Sequence, residues 1–135
     1  MYQQADFMQL QFLEGRWQGS GPDGKAFYEH YDFPDKTSMR SRRYADPSFG
    51  TATDSSSVTF QDGEIISRWG QFSWRANEIA EGKVCFAPVE APSSFCWRRI
   101  DGARVEVTQR WTGADGKEQS VTMALQRIGA AATLK

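Results

Sequence analysis

The stretch Phe12-Leu13-Glu14-Gly15-Arg16-Trp17-Gln18-Gly19-Ser20-Gly21 decides how the rest of the chain is read. It joins a short helical pattern to a long series of strand-like runs, and it reads as the first strand. Gly15 and Trp17 form a Gly-x-Trp at its start. Glycine there lets backbone or a neighbouring side chain come close. The indole two residues on points to the same face and can close the end of a barrel. A cation stacked on the ring would hold such a plug, and Arg127, in the last predicted strand, is the candidate.

Outward from that stretch the pattern is regular. Before it, Phe7, Met8, Leu10, Gln11 and Leu13 recur at helical spacing and predict one short amphipathic helix over 4–13, packed across a barrel mouth. After it, strands alternate between two faces. Phe27, Glu29, Tyr31 and Phe33 share one face, with Tyr28, His30 and Asp32 on the other. Met39, Ser41 and Arg43 oppose Arg40 and Arg42. Residues 51–61 form a Ser/Thr-rich strand, expected at an edge or mostly exposed. Asp62-Gly63 is the strongest hairpin signal. Beyond it, Ile65/Ser67/Trp69, Phe72/Trp74/Ala76, Phe95/Trp97/Arg99, Val105/Val107/Gln109/Trp111 and Val121/Met123/Leu125/Arg127 each mark one face of a further strand. Tight turns and the lack of a long helix make this an all-β chain. The expected fold is a single up-and-down antiparallel β-barrel of roughly nine to ten strands with a short N-terminal helix. The last residues read as a loose tail.

At 135 residues the chain is one domain with room for a real core. Its five Trp, nine Phe and four Tyr suit a curved sheet whose interior is filled by large rings. A net charge of −1 argues against a polynucleotide or an anionic membrane as partner, and successive arginines fall on opposite faces. No run approaches the roughly 20 apolar residues of a membrane helix, and no export signal is visible, so a cytoplasmic protein is expected. A monomer and a homodimer are both open. Cys85 and Cys96 flank a predicted hairpin that permits a disulfide; without an export signal, two reduced and mostly buried thiols are favoured.

A short helix, Gly15-x-Trp17, a meander and an arginine in the final strand together resemble the calycin superfamily of lipocalins and fatty-acid-binding proteins. Gly15-x-Trp17-x-Gly19-x-Gly21 resembles the opening of nitrobindin-type haem-binding barrels. Glu29-His30-Tyr31, the run from Phe86 through Phe95, and Arg99-Ile100 are similar to an uncharacterised bacterial lipocalin-like family. The resemblance implies a barrel with Gly15, Trp17 and Arg127 as structural signature. The nitrobindin likeness implies haem held by a histidine late in the chain. No histidine follows His30, so that ligand does not carry over, and haem is a minor option.

His30, the only histidine, has the parity of an outward residue, and no His/Cys/Asp/Glu cluster has metal-ligand spacing. Glu29 is different: its parity puts a carboxylate inside an aromatic barrel, where it needs a partner. Arg43 on the next strand is the first candidate, with Arg99 and Gln109 as others. Such a pair either fixes strand register or anchors a ligand in an apolar pocket. The leading expectation is therefore a small hydrophobic or amphipathic ligand. Its wall would include Trp17, Tyr31, Trp69, Trp74, Trp97 and Trp111, and its polar anchors Glu29, Arg43 and Arg99. An enzyme using the same cavity, with Glu29 as acid/base, is the alternative, although no nucleophile or second carboxylate completes a mechanism.

Overall fold

A computed structural model describes residues 1–129, and the expectation of a loose tail over 130–135 lies outside them. Helix α1 (Gln4–Phe7) runs into a 3-10 turn (Met8–Leu13), so the single predicted helix is one α-helical turn followed by a tighter 3-10 piece. Ten antiparallel strands follow in meander order: β1 (Gly15–Ser20), β2 (Ala26–Asp35), β3 (Ser38–Tyr44), β4 (Ala52–Gln61) and β5 (Glu64–Trp69), then β6 (Phe72–Ala80), β7 (Lys83–Glu90), β8 (Ser94–Asp101), β9 (Arg104–Thr112) and β10 (Glu118–Ile128). β1 pairs with both β2 and β10, which closes the barrel.

Closure corrects the reading of residues 51–61 as an edge. β4 lies between β3 and β5, with Val58 fully inside. A closed barrel has no edges to give away, so a polar strand must put its alternate residues into the lumen. β7 runs on through Pro88. A register shift between Ser73 and Trp74 seats Pro88 opposite Trp74, where the ladder tolerates a missing donor. The Asp62-Gly63 turn has φ of 54° and 79° at its two residues, the twist that matches flanking strands.

The turns alternate between two ends. At one end the helical segment covers the lumen. Tyr2 N–H donates to the Gly63 carbonyl at 2.8 Å, and the Gln4 side chain donates to the Lys36 carbonyl at 2.8 Å, tying the segment to two turns of that end. Phe7, Leu10 and Leu13 sink completely and meet Met39, Val58, Ile65 and Val84. Trp17 is also fully buried, and its indole N–H donates to the Leu13 carbonyl at 2.8 Å.

Arg127 stacks over Trp17, its guanidinium carbon 4.2 Å from the ring centre. Its fork donates to the carbonyls of Glu14 (2.6 Å), Phe12 (3.0 Å) and Gly102 (3.0 Å). Burial lowers the guanidinium's pKa from its ordinary value. Gly15 has a φ of 127°, and a Cβ there would stand 2.6 Å from the Arg127 guanidinium. At Gly19 the intruding Cβ would meet the Phe27 ring at 2.6 Å. Both glycines are therefore demanded by close approach, not by turns.

Outward positions carry ion pairs, including Arg40–Asp32, Arg75–Glu64 and Arg98–Glu106. Polar outside and apolar inside is the reverse of a barrel that crosses a membrane with its strands. No helix among the described residues is long and apolar enough to do so. Phe49, in the β3–β4 loop at a φ of 54°, folds onto this outer wall against Tyr28, His30 and Tyr44. Cys85 and Cys96 are cross-strand partners and are joined as a disulfide, which corrects the expectation of free thiols. Direct register brings the two Cβ atoms within bridging reach, and that geometry is independent of any export signal.

Replacing Arg127 by Met leaves three carbonyls short of a donor and uncaps the indole. Urea unfolding is expected to show a loss of about 2–4 kcal/mol. Gly15→Ala, which forces strain at positive φ and displaces the same guanidinium, should also cost well over 1 kcal/mol. Stability within about 0.5 kcal/mol of the parent in both variants would refute this account of the closed end.

Candidate functional site

The other end is open. The same inward alternation that builds the plug continues past it with fewer, larger side chains and leaves a cavity of about 540 Å³. Its floor is Tyr31, Trp97 and Leu125, with Tyr31 and Trp97 edge to face at 5.9 Å. Phe95 stands between Trp74 and Trp97, 5.3 Å and 5.1 Å from their centres. The Trp74 indole N–H donates to the Ser93 carbonyl at 2.7 Å, which pins the β7–β8 loop beside the cavity. Trp69 and Trp111 form the mouth, 44% and 37% exposed. Large apolar side chains that wet mark a rim.

One polar cluster interrupts the aromatic wall. Glu29 on β2 and Arg43 on β3 are cross-strand partners and form an ion pair at 2.6 Å. Arg43 donates to the same Glu29 oxygen through Nε (3.0 Å) and Nη2 (2.6 Å). The other oxygen accepts the Tyr31 hydroxyl. Arg43 also lies 4.3 Å above the Phe27 ring. Burial raises the Tyr31 pKa well above the ordinary phenol value, and the adjacent Glu29 carboxylate adds to the rise. Further round the wall, the Ser41 and Ser56 hydroxyls share a hydrogen bond of 2.7 Å, and Ser67 is a buried hydroxyl facing the cavity.

Of the sequence candidates, Glu29, Tyr31, Arg43, Trp69, Trp74, Trp97 and Trp111 all line this space. Two do not. Trp17 belongs to the plug beneath it. Arg99 has the inward parity of Trp97 but sits at the closed end of β8, 5.8 Å over the Phe12 ring and 3.8 Å from Glu81. Parity names a face and says nothing of height along the barrel. Gln109 does line the cavity, and so do residues the sequence reading left out of the site, among them Asp54, Ser56 and Ser67. The parity of Val58 was the signal for the first two, and reading β4 as an edge hid it.

His30 faces out beneath Phe49, where burial lowers its pKa. It offers no axial ligand to the cavity, so these residues do not fit a histidine-held haem. No group of three or more His, Cys, Asp or Glu among the described residues is placed to hold a metal ion.

The fold and site define a closed ten-stranded antiparallel barrel, plugged at one end and opening at the other through an aromatic mouth. No protein-family model matches the chain, and no curated protein matches it. Two of the solved structures that it is similar to align at 14% identity. A redesigned β-barrel aligns at a TM-score of 0.41 over 88% of this chain and 94% of its own. EF1p2_mFAP2b bound to DFHBI aligns at 0.44 over 88% and 96%.

Because the native state holds Tyr31 protonated, its contribution to stability is full below the phenol's unfolded value of about 10. It is lost as pH rises through the higher folded value. Absorbance titration should therefore show one of the four tyrosines ionising later than the rest. Tyr31→Phe should remove that late step and flatten the loss of stability above about pH 10. An unchanged titration in Tyr31→Phe would contradict the buried Tyr31–Glu29 contact.

Proposed function

We propose that this chain is a calycin-type, lipocalin-like barrel that binds one small amphipathic molecule in its lumen. The cavity itself is the supporting observation: about 540 Å³, walled by aromatic rings, with a single ion pair in its side. That size and lining fall within the range of small-molecule sites, which are mostly apolar with a few oriented polar groups. The rings do not fill the lumen, and a half-exposed Trp rim gives a ligand a way in. Burying an apolar body there contributes roughly 25 cal/mol per Å² removed from water, before the cost of immobilising it.

Binding is preferred to catalysis because Glu29 has no free oxygen. Tyr31 takes one and Arg43 the other, so proton transfer to a substrate requires breaking the cluster first.

A neutral apolar dye, N-phenyl-1-naphthylamine, tests the reading. Its emission should rise saturably to one site per chain and quench tryptophan emission. Ser67→Phe, which puts a ring into the cavity from a buried position, should weaken binding by at least about tenfold, or about 1.4 kcal/mol. Absence of saturable binding, or equal binding by a folded Ser67→Phe variant, would overturn the proposal.

A further inference from the structure

The charges in the cavity wall select among amphipathic ligands. Three charged side chains line it: Glu29, Arg43 and Asp54. Two carboxylates against one guanidinium leave one negative charge uncompensated. The pair is internal. Arg43 spends Nε and Nη2 on Glu29, and its flat face lies on Phe27. Asp54, directly opposite Arg43 in the β3–β4 ladder, forms no ion pair and no side-chain hydrogen bond among the described residues. It is exposed at the mouth.

Aromatic faces stand on the same side. Ser57 pairs with Arg68, so the inward residues Ser56 and Trp69 lie alongside each other, with Asp54 one inward position further out. A diagonal step of that kind spans roughly 7–8 Å between residues. From Trp69 the rings continue to Phe72 at 5.6 Å and from Phe72 to Trp74 at 6.3 Å. Ring faces attract cations, and a carboxylate beside them adds to the attraction.

An anionic head group is disfavoured by the same geometry. To take the Nε–Nη2 edge of Arg43 it must displace Glu29, whose side chain is only 12% exposed; otherwise Nη1 alone is left to it, beside Asp54. The stranded carboxylate would keep only the Tyr31 hydroxyl. We propose that the ligand is a cationic amphipath: an apolar or aromatic body in the cavity, and an ammonium group at the mouth between Asp54 and the Trp69–Phe72–Trp74 rings. The inference rests on the binding reading above.

Three dansyl amides with the same five-carbon arm separate the two. One ends in an ammonium group, one in a hydroxyl and one in a carboxylate. At low salt the ammonium probe is expected to bind about tenfold tighter than the carboxylate probe, with the hydroxyl probe between them. Asp54→Asn, at an exposed position, should cut the ammonium-over-hydroxyl preference by about fivefold. If the hydroxyl probe binds but the ammonium gives no advantage, or the advantage survives Asp54→Asn, the cationic proposal fails and the cavity reading stands. If none of the three binds, both fail.

Discussion

The Arg127 guanidinium over the Trp17 indole is the contact on which the barrel's asymmetry depends. A ten-stranded barrel has two ends, and its lumen can be shut by side chains only where something fixes them in place. Here the first and last strands meet, so one residue from each can be stacked across the seam. The same guanidinium takes carbonyls from the end of the 3-10 turn and from the β8–β9 turn. A single side chain thereby joins the N-terminal cover, the closing seam and a distant hairpin. Gly15 is the condition for it, since any Cβ there would occupy the guanidinium's position.

With one end shut in this way, the other can stay open. Phe7, Leu10 and Leu13 supply apolar burial from the helical segment, so the core does not need the upper lumen filled. The upper rings then pack edge to face around a space instead of into it. Edge-to-face pairs hold rings at angles that leave gaps between them, unlike interdigitated aliphatic chains. Trp69–Phe72 and Phe72–Trp74 are tilted, at 38° and 53°, and Phe86–Phe95, in the wall between β7 and β8, is stacked at 5.0 Å and 12°.

Much of this was legible in the sequence. Period-two alternation is enforced by the barrel, because every strand has one wet and one buried face, and it placed Glu29, Tyr31, Arg43, Trp74 and Trp97 on the inside. Arg127 could be paired with Trp17 because both belong to the strands that must meet at closure. The failures have distinct physical causes. Arg99 was misplaced because alternation has no information about depth. Asp54 and Ser56 were hidden because a Ser/Thr-rich strand in a closed barrel looks like an edge in an open sheet. The cysteines were judged by compartment, whereas their pairing is decided by register, which sets Cys85 and Cys96 directly opposite. The cavity's existence was not legible at all, since alternation gives the same pattern for a filled lumen and an empty one.

The Glu29–Arg43–Tyr31 cluster explains why the space persists. An apolar trio at these positions could collapse toward the lumen axis, gaining contacts as it filled the gap. An ion pair cannot do so cheaply, because each charge must keep its partner and its remaining water. Arg43 is held to the wall on one edge by Glu29 and on one face by Phe27. Glu29 is held from below by Tyr31, whose own ring is wedged against Trp97. The cluster therefore fixes three adjacent side chains against two neighbouring strands and halts packing at that height. The polar groups that the sequence places inside the barrel thus form a shelf in the fold, and the third charged residue of the cavity wall, Asp54, lies one strand further round.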